Sequence, residues 1–443
     1  MLKYFKIYKL FGEIDVNISL KNNVNIYVGE NGIGKTTILN LLHAFLVTDI
    51  KTMSSIDFEK VTFVFSEHQY SFNVKDIRGI IPACEEIEPY MSPRRRAMMS
   101  YDINKIVKIV GEMGNELIDN LKNVRSYYHL RQYLTGKVYN KLKEKFSSMD
   151  VEMLLSIEEK SINLIQKLLE VKKELKNEIL YFPTFRRIET DLRQFNFSED
   201  EIQKITKNKL LNFGMADVED LLKKKLEAID SSIKQGYSKM TTTLLTQYVD
   251  NKDRNIEKID IEKLNTLLGI LSDTLPEGLK ERLASKVENQ SIYNSINIEF
   301  LNFVNNLLMI YEAQGENFFA IEKFVEICNK YFVNKKLVFE KNNLKVKIQD
   351  NYTQRPIEFS NLSSGEKQMA SLFSKLYLDS YNDYFILFDE PELSLSIEWQ
   401  RMLIPDIINS GKCNTLITVT HSPFIFDNEY DKYARNLQDC LSR

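Results

Sequence analysis

A glycine-rich loop between a strand-like segment and a helical segment constrains the fold of this chain more than any other feature. The loop, residues 29–37, reads Gly-Glu-Asn-Gly-Ile-Gly-Lys-Thr-Thr and fits the pattern G-x-x-x-x-G-K-[ST]. Residues 24–28, just before it, are rich in Val, Ile and Tyr, as in a strand. Apolar residues recur every three or four positions over residues 36–46, which predicts a helix. The sequence therefore predicts a strand, a phosphate-binding loop and a helix, in that order.

The residue types of this loop suit a bound phosphate. Glycines let the loop curl so that successive backbone N–H groups point at one anion, and the helix N-terminus adds its positive end. Lys35 supplies a charge for the β- and γ-phosphates, and Thr36 offers its hydroxyl to Mg²⁺. The residues predicted to hold the nucleotide are Gly29, Glu30, Asn31, Gly32, Ile33, Gly34, Lys35, Thr36 and Thr37.

Two adjacent acids follow a second apolar segment. Residues 384–388 form a continuous apolar run, which is typical of a strand buried on both faces, and Asp389 and Glu390 come directly after it. Open α/β sheets bind ligands at the carboxyl ends of their parallel strands. We expect Asp389 to hold Mg²⁺ opposite Thr36, and Glu390 to polarise the water that attacks the γ-phosphate.

A histidine follows a third apolar segment. His421 comes shortly after residues 415–419, a strand that we expect to neighbour the acid-bearing strand. A lone histidine is often structural, but its place at the end of this strand favours contact with the γ-phosphate. His421 is therefore a second candidate catalytic residue beside Glu390.

A well-capped helix begins about twenty residues before the acid-bearing strand. Residues 362–368 read Leu-Ser-Ser-Gly-Glu-Lys-Gln. Ser363 and Ser364 are good N-cap residues, and Glu366 in the first turn suits the helix dipole. Taken alone, these residues indicate only a helix start.

Composition excludes several classes of protein. Lys and Arg total 59 against 62 Asp and Glu, so the formal charge of -3 gives no global case for nucleic-acid binding. The four cysteines are far apart and form no CxxC pair, which fits a reducing cytoplasm and indicates neither zinc nor disulfides. No run of eighteen apolar residues predicts a membrane span, and residues 1–16 lack the pattern of a signal peptide.

The chain changes character twice along its length. Residues 1–103 and 336–443 alternate strands and helices, whereas residues 104–335 are rich in Leu, Ile, Lys and Glu with helical periodicity. A short apolar stretch and a proline near residues 179–189 interrupt the helical part. We predict an α/β head built from both termini, with a mainly helical insertion that includes short coiled-coil arms and is crossed by one head strand.

Together the four motifs resemble those of ABC-class ATPases. Residues 29–37 look like the Walker A motif, Phe-Ile-Leu-Phe-Asp-Glu-Pro like Walker B, and Thr-Val-Thr-His-Ser-Pro like the switch histidine. Leu-Ser-Ser-Gly-Glu sits where that class carries its signature Leu-Ser-Gly-Gly-Gln. The resemblance covers roughly the first 80 and the last 110 residues in order and spacing. It implies an ATP-hydrolysing, Mg²⁺-dependent head of the SMC, Rad50 and OLD-like kind.

The resemblance also implies that two heads form a head-to-tail dimer. Larger homo-oligomers are an alternative that it leaves open. ATP in one P-loop would be capped by the partner's signature residues, here Ser363, Ser364, Gly365 and Glu366. The chain departs from the family where Ser364 replaces a glycine and Glu366 replaces the final glutamine. No glutamine is assigned to a Q-loop, and residues 391–396 lack the transporter aspartate. These departures put the rate of hydrolysis in doubt more than the binding of ATP.

Within that class, Asp-Glu-Pro-Glu-Leu-Ser-Leu-Ser and Thr-His-Ser-Pro-Phe-Ile look most like the OLD-like, AAA_15-type ATPases of bacterial anti-phage defence. OLD-family proteins carry a C-terminal Toprim nuclease, and residues 422–443 are too few to form one. The chain is therefore similar to the stand-alone ATPase subunits of the PARIS and Septu systems. That similarity implies a toxin-antitoxin-like controller of a separate nuclease effector, with a phage-encoded trigger protein.

Two alternatives remain at this stage. A RecF- or Rad50-like DNA-repair ATPase is the runner-up, and a transporter cassette ranks third because of the large helical insertion. Arg186 and Arg187 are candidates for contact with nucleotide or nucleic acid. The alternative, that they are exposed arginines of a structural loop, is equally open. The run of residues 94–96, three arginines in a predicted loop, is more typical of a solvated charge cluster.

Overall fold

The computed structural model describes residues 2–30, 32–85, 110–111, 159–184, 215–250, 260–271, 278, 281–282, 285 and 298–442. The chain divides into two compact units. The first comprises Met1–Ile188 and Asp383–Arg443, and the second comprises Glu189–Asn382. Residues 336–382, which the sequence analysis assigns to the head, belong to the second unit by this division; the sequence-based domain boundaries stay a prediction.

The first unit contains a five-stranded sheet of parallel neighbours in the order β12-β3-β11-β10-β6. Its strands are β3 (Val24–Val28), β6 (Glu178–Phe182), β10 (Tyr384–Asp389), β11 (Cys413–Thr420) and β12 (Ala434–Asn436). Every residue of β10 is buried, as its continuous apolar run predicts. Strands from both ends of the chain therefore lie side by side, and the α/β head built from both termini is confirmed.

A second five-stranded sheet in this unit is antiparallel, in the order β13-β2-β1-β4-β5. Its strands are β1 (Leu2–Leu10), β2 (Ile14–Ser19), β4 (Lys60–Phe65), β5 (Gln69–Asn73) and β13 (Leu441–Ser442). Alternate residues such as Phe5 and Ile7 are fully buried, while their neighbours face outward. One face of this sheet thus contributes to the core, and the other faces away from it.

Helices of the first unit pack in the core between these sheets and beside them. They are α1 (Lys35–Val47), α2 (Ile50–Ser55), α3 (Val74–Glu85), α4 (Glu159–Leu175) and α10 (Ile397–Asn409). The ring of Phe45 on α1 lies 5.4 Å from that of Phe63 and 5.3 Å from that of Phe72, centroid to centroid. A single apolar cluster joins these side chains to Leu387 and Ile417 of the parallel sheet, so α1 is held rigidly after the glycine loop.

The second unit is mainly helical. Its described helices are α5 (Met215–Asp250), α6 (Ile261–Ile270), α7 (Ile298–Glu312), α8 (Gly315–Tyr331) and α9 (Ser364–Leu378). A small antiparallel sheet joins β7 (Lys335–Glu340), β8 (Lys345–Asp350) and β9 (Pro356–Ile357). This composition agrees with the predicted helical middle, and α5 alone runs for 36 residues. The predicted coiled-coil arms stay a prediction.

None of the described helices combines the length and the apolar character needed to cross a membrane.

Candidate nucleotide site

The glycine loop leads directly into α1, as predicted. Gly32 and Gly34 have φ angles of 88° and 93°, a left-handed backbone that side-chain-bearing residues rarely adopt. Gly34 is the N-cap of α1, and no side chain caps this helix start. The first N–H groups of α1 are therefore available to an anion.

Lys35 connects this loop to the acid-bearing strand. Its Nζ donates a hydrogen bond to the Gly29 carbonyl at 2.9 Å and lies 3.2 Å from Glu390 Oε1. The Lys35 side chain is only 3% exposed and that of Glu390 is 17% exposed, so the ion pair is largely shielded from water. The structure brings together two residues far apart in the sequence, both predicted for the site.

Glu390 has an unusual backbone conformation. Its φ is 47°, in the left-handed region that is uncommon for residues other than glycine, asparagine and aspartate. The strain is offset by a 2.8 Å hydrogen bond from its N–H to the Val419 carbonyl on the neighbouring strand. Strained residues held by their surroundings are concentrated at functional sites, which supports the choice of Glu390.

Asp389 is buried and has one uncompensated oxygen. Burial raises the pKa of Asp389, while side-chain hydrogen bonds from Thr184 and Thr36 oppose that rise. Thr184 Oγ1 donates to Asp389 Oδ2 at 2.5 Å. Within the described part of the chain, Asp389 Oδ1 is buried without a hydrogen-bond partner. A buried carboxylate oxygen beside a threonine hydroxyl fits Mg²⁺, which prefers oxygen ligands.

Thr184 is a site residue that the sequence analysis missed. It follows β6, the strand that pairs with β10 in parallel, so both strands end at the same edge of the sheet. The available signal was a polar residue just after a short apolar strand. The two residues predicted from this segment, Arg186 and Arg187, lie outside the described residues, as do Asn31 and residues 94–96.

His421 is held by a second missed residue, Glu392. The His421 backbone N–H donates to Glu392 Oε1 at 2.8 Å, and His421 Nδ1 lies 2.8 Å from the same oxygen. The Glu392 side chain is 5% exposed, whereas that of His421 is 44% exposed. The carboxylate therefore fixes one side of the ring and leaves the other side accessible.

The neighbouring Ser422 anchors this segment to α10. Ser422 Oγ donates to Gln400 Oε1 at 2.6 Å, and Gln400 Nε2 donates to the Leu395 carbonyl at 3.0 Å. Ser422, Gln400 and Leu395 are all buried. The end of β11, the segment after the acids and the start of α10 consequently form one hydrogen-bonded unit.

The predicted signature residues lie in the second unit, at the start of α9. Ser363 and Glu366 form a capping box, in which each side chain bonds to the backbone N–H of the other. Glu366 Oε2 also lies 2.6 Å from Lys335 Nζ, and Glu366 Oε1 accepts from the Val333 N–H at 3.2 Å. Burial alone raises the pKa of Glu366, but the hydrogen bonds from Lys335, Ser363 and Val333 outweigh it and lower that pKa. The Glu366 carboxylate is therefore engaged inside its own unit, while Ser363 is exposed.

Within the described ranges, no group of three or more His, Cys, Asp or Glu side chains is arranged to hold a metal ion. A cation at this site would thus depend on the hydroxyl of Thr36, the carboxylate of Asp389 and ligands from outside the chain. That donor set is typical of Mg²⁺ bound together with phosphate oxygens.

The fold is that of an α/β ATPase head. The model of the AAA ATPase domain family, AAA_15, matches residues 5–426, and the chain belongs to that family. This membership makes the protein an ATPase and implies the use of ATP.

Solved structures similar to the chain include two archaeal Smc head domains. One, from Pyrococcus furiosus, has an extended coiled coil and is bound to the C-terminal domain of ScpA. Its sequence is 15% identical, the match covers 96% of this chain and 90% of that chain, and the TM-score is 0.32. The other, from Pyrococcus yayanosii, has a coiled coil and joint; it is 13% identical, with 96% and 93% covered and a TM-score of 0.31. No curated protein matches the chain in sequence.

Proposed function

We propose that residues 29–37 bind the phosphates of ATP and that Glu390 is the general base of hydrolysis. The ion pair between Lys35 and Glu390 is the observation that carries this proposal, because it places the phosphate-binding charge beside the candidate base. Lys35 would bind the β- and γ-phosphate oxygens. Glu390 Oε1 would then accept a proton from the attacking water.

Thr36 and Asp389 are the residues that would hold Mg²⁺. The cation supplies positive charge that offsets the charge developing on the phosphate oxygens. Thr184 keeps the Asp389 carboxylate in place through its hydrogen bond to Oδ2. His421 is fixed on one side by Glu392 and would present its exposed side to the γ-phosphate. Each of these roles uses a contact already made within the first unit.

Two variants separate binding from turnover. Lys35→Ala is expected to lose ATP binding, since no other charge of the loop replaces the ammonium. Glu390→Gln is expected to bind ATP and to hydrolyse it at least about a hundredfold more slowly. Isothermal titration and phosphate release measure the two effects. Normal turnover by Glu390→Gln would remove the catalytic assignment.

We propose further that two heads pair around ATP. The exposed Ser363 and the backbone of Gly365 at the capped start of α9 would contact the γ-phosphate held by the partner's loop. Glu390→Gln should then form a stable dimer with ATP and remain a monomer without it, as measured by light scattering. Ser363→Arg in the same background should abolish that dimer while leaving ATP bound. Pairing that survives Ser363→Arg contradicts the proposed interface.

At the level of biology, we propose that the ATPase is the sensor or scaffold subunit of a cytoplasmic anti-phage defence system. The support is the resemblance of residues 389–396 and 420–425 to OLD-like defence ATPases. ATP-dependent pairing would hold and release a separate nuclease effector in response to a phage-encoded trigger. Purification of the Glu390→Gln protein from its native host, with ATP, should recover that effector. Recovery of the ATPase alone, with the dimer intact, contradicts this role.

A DNA-structure ATPase of the RecF or Rad50 type is the second candidate. The observation in its favour is a group of lysines packed over tyrosine rings on the outer face of the antiparallel sheet. Hydrolysis stimulated by DNA, and lost when those lysines are replaced, would favour this candidate over the defence controller.

A further inference from the structure

The outer face of the antiparallel sheet carries three lysines packed over tyrosine rings. Lys6 Nζ lies 5.6 Å from the ring centroid of Tyr4, and Lys21 Nζ lies 5.3 Å from the same centroid. Lys60 Nζ lies 5.6 Å from the ring centroid of Tyr8. Cation–π contacts of significance occur roughly once per 70–80 residues, so three on one sheet face form a local concentration. We name these five residues the tyrosine–lysine face.

The strand register places these side chains side by side. Lys6 of β1 pairs with Thr62 of β4, and Tyr8 pairs with Lys60 in the same antiparallel ladder. Directly paired residues point to the same side of a sheet, and residues two apart on a strand are about 6.8 Å from each other. Tyr4, Lys6, Tyr8 and Lys60 therefore lie side by side on one face of the sheet, and Lys21, just after β2, reaches the ring of Tyr4.

The rest of this surface is polar and mostly neutral. Within the part of the chain that the structure describes, none of Lys6, Lys21 and Lys60 forms an ion pair, and Lys21 is exposed. An acid, Asp15, lies at one corner, where its Oδ1 accepts from the Lys9 N–H at 2.8 Å. Paired neighbours on the same side of the sheet are Asn17, Ser19, Val64, Gln69, Ser71 and Asn73, together with Thr62, which is buried beneath the longer side chains.

The electrostatics of Tyr4 report a positive surface. The pKa of Tyr4 is lowered, first by its hydrogen bond with Lys21 and then by the charges of Lys21, Lys6 and Lys3, which together outweigh the opposing effect of burial. Hydrogen bonds from a cation and nearby positive charge both favour a phenolate. This patch is thus cationic on a chain whose formal net charge is -3.

We propose that the tyrosine–lysine face binds single-stranded nucleic acid. Lysines at this spacing can meet successive phosphates of a flexible strand, and a lysine that moves onto a phosphate uncovers the tyrosine ring beneath it, on which a base can then stack. Flat sheets that carry aromatic side chains recognise unpaired bases in this way. None of these residues belongs to the nucleotide site, so the proposal is independent of the proposed hydrolysis mechanism, although it rests on the same lysines as the second candidate function.

The test is a titration of the full chain with a fluorescein-labelled oligothymidylate of about 30 nucleotides, followed by anisotropy over a salt series. Three phosphate contacts on a single strand predict that the logarithm of affinity falls with a slope of about −2 against the logarithm of salt concentration. Replacing Lys6, Lys21 and Lys60 by glutamine should weaken binding by at least about tenfold and reduce that slope nearly to zero.

A matched control replaces Lys51, Lys172 and Lys173, exposed lysines on α2 and α4, by glutamine. The control changes the net charge equally and should bind like the wild type. Equal binding by the two triple variants overturns the proposal, as does tighter binding of a duplex of the same length. A face that serves an acidic protein would leave oligothymidylate binding unaffected by the lysine changes, which also overturns it.

Discussion

Glu392 receives both the backbone N–H and the Nδ1 contact of His421 on a single carboxylate oxygen, each at 2.8 Å. Its second oxygen, Oε2, is buried without a hydrogen-bond partner among the described residues. The buried carboxylate of Glu392 therefore contacts a single histidine. Such a contact sets the tautomer and orientation of the ring, so we interpret Glu392 as a positioning residue. If His421 takes part in hydrolysis as proposed, we expect Glu392 to affect it only through His421.

A double-mutant cycle tests that relationship. Glu392→Gln is expected to lower kcat by roughly tenfold or more while the Kd for ATP changes by less than about twofold. His421→Ala should lower kcat as well, and adding Glu392→Gln to it should have no further effect. Phosphate release and ATP titration measure these quantities.

The control for this cycle is Glu398→Gln, which removes an exposed acid from the first turn of α10. If His421→Ala retains normal turnover, the role proposed for His421 fails. If the two substitutions are additive, Glu392 acts by another route and the positioning role fails.

Thr184→Val is expected to weaken the response to Mg²⁺. The substitution keeps the shape of the side chain but removes the hydroxyl that donates to Asp389 Oδ2. Outer partners of metal ligands typically account for a 10–100-fold change in metal affinity, so the Mg²⁺ concentration for half-maximal hydrolysis should rise by about tenfold. Thr184→Ser, which keeps the hydroxyl, should behave like the wild type. An unchanged Mg²⁺ dependence in Thr184→Val contradicts the supporting role.

Acidification should destabilise the first unit through His43. Burial lowers the pKa of His43 to about 4, and its ring stacks on Tyr181 with centroids 4.8 Å apart. Because the unfolded chain binds this proton near pH 6.5 and the folded chain does not, stability is present above that pH and is lost as the pH falls toward 4. The loss between pH 7 and pH 5 should be about 2 kcal/mol.

Denaturant unfolding at the two pH values measures that loss. His43→Phe keeps an aromatic ring beside Tyr181 and removes the titrating group, so its stability should change less over the same interval. His68→Gln, at an exposed histidine, should retain the full dependence. If the stability of His43→Phe depends on pH as strongly as that of the wild type, other groups cause the effect and the role of His43 is contradicted.

Restoring the signature glutamine of ABC-class ATPases should destabilise this protein. Glu366→Gln removes a buried charge that faces Lys335 at 2.6 Å and leaves that ammonium partly shielded. The free energy of unfolding should fall by about 1–2 kcal/mol. A larger loss is not expected, because Lys335 is 22% exposed and water partly screens its charge. The double variant Glu366→Gln with Lys335→Met should recover part of the loss. Full stability of the single variant contradicts the structural role of the pair.

The local elements of the site could be predicted from the sequence because each follows from a short pattern. The strand before the loop is Val24–Val28 and the helix after it is Lys35–Val47, against predictions of 24–28 and 36–46. The expectation that the acid-bearing strand neighbours the strand before His421 is also confirmed, since β10 and β11 pair in parallel.

The partners of these motifs could not be predicted in the same way. Thr184 and Asp389 are 205 positions apart, and Glu392 and His421 are 29 apart. Such contacts depend on which strands become neighbours in the sheet and on the burial of single carboxylates. Periodicity and motif spacing describe local structure only, so neither property can be read from them.

The left-handed backbone of Glu390 has a consequence for the order of binding and chemistry. With its main chain fixed by Val419, the carboxylate stays within reach of Lys35, and any anion that binds this ammonium competes with it. Such competition is reciprocal: each ligand weakens the other by the same factor. Neutralising Glu390 should therefore tighten nucleotide binding. The binding of nucleotide to Lys35 should in turn free the Glu390 carboxylate from its ion pair, so that it can act as the proposed base.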